Sequence, residues 1–506
     1  MSTQGTPQPA LNIPKRWPLV SKLNVRQSAL PMTQDARLVN CYAEFDPELD
    51  EFWIYKRLGL SSTSAFGPGG GTSASPVRGQ GAYYSPATSY GIFNVFGGWL
   101  YNGATSIDTV DATNPYTWET VVTSSGTIVV LNNGAAQYTS NGTSQLNITS
   151  SIPGTPPYCP GWAYLDGTLY IMDTSGNIWG SGINQPTSWS NNNLILANNY
   201  ADSGVALARQ LSYVIAFKQW STQIFYDAGN TEGSPLGVVP DAQLPFGCLN
   251  GWSVQELDGT LLWLTSNRSN SPQIAAMTNL SARIVSTPAV ERLLKLYQLQ
   301  GGTGVDLQGV YSWVIRQSGH RLYGLTIVGL NVTIVYDLDQ QLWYLWTDAN
   351  GNYWPYVAST YYPAVVLKVG SNYTPTPASQ FFQHVWSGSA YQVDDCFTYP
   401  NDSGSVVPVD IYTPNFDGGT SRRKLLKALF PLADRTQGSY LQMRFNDYDY
   451  DPTRWSNFRT CDLGLQKPRF IDCGTFRTRR ALHLRHQCNT SFRIRGIDMQ
   501  LLWGTL

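Results

Sequence analysis

The sequence predicts an all-β protein: a β-propeller of six or seven blades, with an N-terminal extended segment and a C-terminal β-sandwich-like domain. Three observations carry that prediction. Charged residues make up only 13% of the 506 residues, and Gly (46), Tyr (30), Pro (30) and Trp (17) supply much of the cover instead. That mixture suits strands and tight turns and lacks the Glu, Lys, Leu and Ala that fill exposed helices. A strand–turn–strand unit recurs through the middle of the chain. The composition then changes near residue 405, where the chain becomes basic.

Taken in order, residues 1–75 read as an N-terminal arm and linker. Met1–Ala10 is polar and Pro-containing, which predicts mobility. Arg37-Leu-Val-Asn-Cys-Tyr-Ala43 reads as extended, followed by an acidic patch of Glu44, Asp46, Glu48, Asp50 and Glu51. Residues 61–75 are Gly/Ser-rich without periodicity and read as a linker.

Residues 76–400 read as the propeller with insertions. Trp162-Ala-Tyr-Leu-Asp-Gly-Thr-Leu-Tyr-Ile-Met172 is the clearest repeat, two alternating strands around Asp166-Gly167, a strong hairpin signal. Residues 254–264 repeat it around Asp258-Gly259, and residues 314–325 around Ser318-Gly319. Copies start near 82, 127, 162, 212, 252, 312 and 362, a spacing suited to propeller blades. Pro288 opens a short amphipathic helix, with Val290, Leu293, Leu294 and Tyr297 on one face.

Residues 401–506 read as a basic β domain. Alternating runs at 406–412, 441–445, 481–486 and 492–503 predict strands of a sandwich, while 421–430 fits a helix or a strand. From Val409 to Leu506 there are 16 Lys and Arg against 9 Asp and Glu; the rest of the chain has 17 against 25. The overall net charge of −1 excludes a uniformly basic nucleic-acid coat.

Chemistry-bearing motifs are sparse. The seven Cys form no CxxC, which predicts buried reduced thiols. No basic stretch followed by an apolar one opens the chain, so no secretory signal is expected, and no window is long and apolar enough for a membrane span. The four His (320, 384, 483, 486) have no zinc spacing. Asp447, Asp449 and Asp451 alternate as in calcium loops, but Pro452 stands where such a loop needs Gly and Phe458 where it needs Glu. No nucleophile elbow, metalloprotease or phosphate-loop motif occurs. No catalytic residue, cofactor or metal is therefore expected. The sharpest chemical feature is basic: Arg477, Arg479, Arg480 and Arg485, with Arg422 and Arg423 as a second group. Two uses remain open for them, a subunit interface or contact with a DNA channel.

The run Arg37-Leu-Val-Asn-Cys-Tyr-Ala-Glu44, the later Arg57-Leu-Gly-Leu60, the Arg-rich final strands and the closing Gly496-Ile-Asp-Met-Gln-Leu resemble the packaged-DNA stabilisation proteins of short-tailed bacteriophages. Leu58-Gly59 stands where many of them have Pro-Gly. The resemblance implies a structural protein of the virion tail, assembled in the host cytoplasm. It implies a hub or nozzle ring below the portal and adaptor, with six copies, that extends or closes the DNA channel and retains packaged DNA. The implied partners are further copies of the chain, the adaptor or head-completion protein, tail fibres or spikes, and double-stranded DNA bound without sequence preference. The competing class is a propeller that binds or cleaves glycans. It would require a carboxylate pair in the funnel.

Overall fold

Asp166–Gly167, Asp258–Gly259 and Ser318–Gly319 each place two consecutive residues at positive φ, between 47° and 88°. That is the backbone of the two-residue hairpin turn whose twist matches its flanking strands. In the computed structural model these turns join the first two strands of three units in a larger repeat. The described residues are 16–20, 36–63, 77–85, 89–96, 98–103, 105–266, 272–300, 310–354, 356–362, 365–369, 372–376, 379–384, 392–399, 401–402 and 404–503. They fall into two compact units, Leu58–Ser405 and a second made of Met1–Arg57 with Val406–Leu506.

Leu58–Ser405 is a propeller. Among the described residues it has seven four-stranded antiparallel blades. Their first strands are Val77–Ser85, Thr117–Thr123, Ala163–Leu165, Gly204–Gln210, Gln255–Leu257, Val310–Gln317 and Tyr356–Tyr362. Each first strand touches the next one, or the turn leading into it, and Tyr356–Tyr362 touches Val77–Ser85, so the ring closes. The seventh blade is composite. Tyr356–Tyr362, Ser379–His384 and Gln392–Tyr399 are joined by Gly59–Thr63 from the front of the chain. Ser61–Thr63 thus lie in a strand although their composition reads as linker. A Cβ on Gly59 would sit 1.8 Å from the Asn401 carbonyl oxygen, so the close approach of these strands requires glycine. The helix Pro288–Gln300 stands between the fifth and sixth blades, with Val290, Leu293 and Leu294 buried.

Blade packing explains the hydrophobic runs. Thr168–Met172 is buried at every position. Leu169 and Ile171 pack toward the second blade with Val121, Val130 and Trp162, while Tyr170 and Met172 pack toward the fourth with Leu207, Val214 and Phe225. A blade between two others has no wet face, so its strands read as continuously apolar rather than alternating. Gly161 starts the third blade at φ +95°, where a Cβ would sit 1.8 Å from the Leu207 carbonyl oxygen. Gly161→Ala is expected to destabilise the propeller by about 3 kcal/mol. Urea unfolding of the full chain measures it, and a loss below about 1 kcal/mol would contradict the packing described.

The second unit contains two sheets. One runs in the order Cys41–Asp46, Glu51–Lys56, Arg493–Trp503, Lys424–Ala433, Phe470–Ile471, with Arg16–Trp17 paired to Arg493–Trp503 and Thr475–Phe476 to Lys424–Ala433. The other runs Arg37–Val39, Val409–Tyr412, Ala481–His486, Tyr440–Asn446, Arg459–Asp462. Residues 424–433 settle as a strand. The stretch read from the sequence as an arm supplies strands to both sheets, and the switch between them is Asn40. It takes φ 54° and is wholly buried. Its Nδ2 donates to Pro408 O at 2.9 Å and its Oδ1 accepts from Arg57 Nε at 3.0 Å. The two halves of the N-terminal motif therefore meet in space.

Candidate functional site

The arginines singled out from the sequence divide into two groups. Arg480 is a core residue, 1% exposed. Its Nε and Nη2 bind Asp447 at 2.7 and 2.8 Å, its Nη1 donates to Cys473 O at 2.6 Å, and its guanidinium lies over the rings of Phe445 and Phe476. Arg485 Nε donates to Asp410 at 2.7 Å. The same carboxylate accepts from His483 Nε2 at 2.5 Å, while Arg444 Nε donates to His483 Nδ1 at 2.8 Å. A ring nitrogen that accepts from an arginine carries no proton, so His483 is neutral. Burial pushes its pKa down to about 4 against the pull of Asp410. Burial would raise the Asp410 carboxyl, but the bonds from His483 and Arg485 hold it below the usual carboxylate range. The three alternating aspartates have structural partners: Asp447 holds Arg480, Asp449 pairs with Arg479 and accepts from Asn415 Nδ2 at 3.0 Å, and Asp451 accepts from Thr453. Among the described residues, no three His, Cys, Asp or Glu side chains gather as metal ligands.

The other group faces outward. Arg423 and Arg477 are exposed and Arg422 half-buried. None of the three has an acidic partner among the described residues. Lys424 brings them together. Its buried Nζ donates to Thr420 O at 2.6 Å, Arg422 O at 3.1 Å and Arg477 O at 2.5 Å, beneath the rings of Phe476 and Trp503. Burial lowers its pKa. An ammonium whose donors are spent on carbonyls of two segments pins those segments side by side. Arg493 and Arg495, two apart on one strand, both lie over Trp53, at 4.8 and 5.6 Å from its ring centre. They pair with Asp434 and Glu51, so they tie this strand to its neighbours on either side.

Sequence reading missed the propeller axis. The first strands surround a cavity of about 580 Å³, lined by Thr117, Glu119, Arg209, Gln255, Glu256 and Ser312 among others. Several of its polar groups stitch neighbouring blades. Thr117 Oγ1 accepts from Gly161 N at 2.8 Å, Arg209 Nη1 donates to Tyr164 O at 2.8 Å, Gln255 Nε2 donates to Ser312 Oγ at 3.0 Å, and Ser359 Oγ donates to Val314 O at 2.7 Å. Burial raises the Glu119 pKa, opposed by the Thr120 N–H and by Arg209 and helped by the neighbouring Glu256 carboxylate. The signal available in the sequence was a charged residue two positions before a blade's first turn, as Arg209 precedes Leu211 and Glu256 precedes Asp258.

Charge divides along the same line as the fold. Leu58–Ser405 has 10 Lys and Arg against 19 Asp and Glu, whereas the second unit has 23 against 15. Between Arg78 and Arg209 there is no lysine or arginine at all.

A β-propeller is the architecture named by the family model that this chain matches, a phage-stabilisation family described as Bacteriophage P22 Gp10, beta-propeller. The match covers residues 70–362, more than half of the chain. The chain belongs to that family. It is a phage structural protein of the DNA-stabilisation class. The search of curated proteins returns no match. Three solved structures resemble it distantly. The computationally designed Ika8 protein aligns at 10% identity and TM-score 0.34, covering 66% of this chain and 99% of its own. The extracellular domain of the putative one-component system BT4673 from B. thetaiotaomicron aligns at 8% identity and TM-score 0.37, covering 90% of this chain and 62% of its own. BamB from Moraxella catarrhalis aligns at 10% identity and TM-score 0.30, covering 72% of this chain and 95% of its own. Likenesses at that level carry no argument about function. No helix among the described residues is long and apolar enough to cross a membrane.

Proposed function

We propose that this chain is the repeated subunit of a tail hub or nozzle. Six copies form a ring below the portal and adaptor, extend or close the DNA channel, and retain packaged DNA without reading its sequence. Fibres or spikes dock on the ring, which assembles in the host cytoplasm and acts in the virion tail. The supporting observation, beside membership of the phage-stabilisation family, is the division of charge: an acidic propeller and a basic second unit in one chain. Complementary halves on one chain favour head-to-tail contact, and such contacts close into rings when the rotation allows.

The chain acts in this reading as structure, without catalysis. Thr117, Gln255 and Ser359 in the axial cavity are spent on joining blades, while Glu119 and Glu256 are the carboxylates that a glycan-cleaving propeller would use. Images of tail complexes from the source particle, with mass measurement of the same complexes, test the ring. Six copies per tail is the expected result, and one or two copies would overturn it. Purified chain is expected to leave host surface polysaccharide intact. Sustained turnover that disappears in Glu119→Gln would establish the glycan-cleaving class instead.

A further inference from the structure

Lys424–Ala433 turns an apolar row outward. Leu425 lies directly opposite Leu502 on one neighbouring strand and Thr475 on the other, and Ala428 lies opposite Gln500 and Ile471. Leu425, Leu502 and Ile471 are 40 to 55% exposed. Arg423 stands at the edge of this row, its Nη2 donating to Thr475 Oγ1 at 3.2 Å, and the Lys424 clamp holds Arg422 and Arg477 alongside. The surface is apolar at its centre and rimmed by three guanidinium groups that have no acidic partner among the described residues. Exposed apolar patches of this kind mark sites of protein contact, and arginine is enriched in such contacts. A phosphate backbone would match the rim but not the leucines.

The propeller carries a counterpart. Val122, Ile183 and Leu211 are 53 to 70% exposed. They are neighbours: Tyr164 Oη donates to Val122 O at 3.4 Å and to Asn184 Oδ1 at 3.2 Å, beside Ile183. Arg209 spans Tyr164 O and Leu211 O, each at 2.8 Å. The exposed carboxylates there are Asp166, at the tip next to Ile183, Glu256, at the turn next to Leu211, and Asp258 at the same turn, which pairs with Arg316. The guanidinium of Arg209 is occupied by carbonyls, and the 130 residues before it contain no cation.

We propose that the Leu425–Leu502–Ile471 face, with Arg422, Arg423 and Arg477, docks on the Val122–Ile183–Leu211 face of the propeller in a second copy of this chain. The proposal rests on the ring reading and names its contact. Apolar centres meet while the arginine rim reaches Asp166 and Glu256, which gives the contact a single polarity and lets it repeat head to tail.

The test places the photo-crosslinker benzoylphenylalanine at position 425 of the full chain and irradiates assembled tail complexes. The expected product is a covalent dimer whose joined peptide contains Val122, Ile183 or Leu211. Leu425→Glu and Ile183→Glu, both at exposed positions that leave the cores untouched, are each expected to lower incorporation of the chain into tails at least tenfold. A ring of normal copy number that crosslinks elsewhere, crosslinks to DNA, or tolerates both substitutions would remove the docking and leave the ring. One or two copies per tail would remove the ring and the docking with it.

Discussion

Arg480→Ala is expected to cost the basic unit about 3 kcal/mol, because removing one partner of a buried ion pair strands the groups that surrounded it. Asp447 would lose both of its guanidinium bonds, and the carbonyls of Cys473 and Thr475 would lose a donor inside the fold. Phe445 and Phe476 would face the space that the guanidinium fills. Calorimetry of the full chain measures the loss, and hydrogen exchange localises it to Ala481–His486, the strand that follows Arg480. The propeller strand Thr168–Met172 should exchange as before. Arg423→Ala serves as the contrast, since an exposed arginine without an acidic partner should cost under about 0.5 kcal/mol. Equal losses in the two variants would show that Arg480 is not the core residue described.

Acid should weaken the same unit before the propeller. Burial lowers the His483 pKa to about 4 and, with help from Lys56, that of His486 to about 3. His486 is wholly buried; its Nε2 faces Ser439 Oγ at 2.9 Å, and its Nδ1 has no partner among the described residues. Above pH 6.5, the usual imidazole value, both rings are neutral in the folded and unfolded chain alike. Below it the unfolded chain takes up protons that the folded unit excludes, so stability is lost as pH falls from 6.5 toward 4. Each ring contributes a slope of about 1.4 kcal/mol per pH unit in that window. Asp410, held low by His483 and Arg485, extends the loss to more acid conditions. Thermal scans between pH 7 and 4, read by hydrogen exchange at Ala481–His486, follow the effect. His483→Gln should flatten part of the slope while lowering stability at pH 7. A transition in this unit that does not move between pH 7 and 4.5 would sink the prediction.

Local chemistry made much of the fold legible. Asp166-Gly167, Asp258-Gly259 and Ser318-Gly319 need no tertiary context, since positive φ at two successive residues is a property of the turn itself. The unbroken apolar run Thr168–Met172 reports a strand covered on both faces before any neighbour is known. The family resemblance rests on the Arg37–Glu44 run, and Asn40 shows why such a run has a fixed pattern: a buried asparagine at positive φ passes the chain between two sheets and holds Arg57. The arginine-rich composition of the last fifth was equally plain from counting.

Long-range pairing could not be read the same way. Gly59–Thr63 joins a blade formed more than 300 residues later, and its Gly/Ser-rich surroundings carry no trace of that partner. Nor does a list of arginines distinguish Arg480, enclosed by Asp447 and two rings, from Arg423, which is exposed; both are followed by alternating strands. The axial cavity with Glu119, Arg209 and Glu256 exists only because several blades converge on it, its lining running from Pro115 to Ser359. The sequence by itself determined the class of fold, the turn positions and the charge asymmetry, because these depend on residues near one another in the chain. Tertiary structure alone decided which strand closes the ring, which arginines are spent inside, and which apolar residues are left facing out. Each of those depends on the burial of a side chain by a partner distant in sequence, and burial determines whether a charge is held or available.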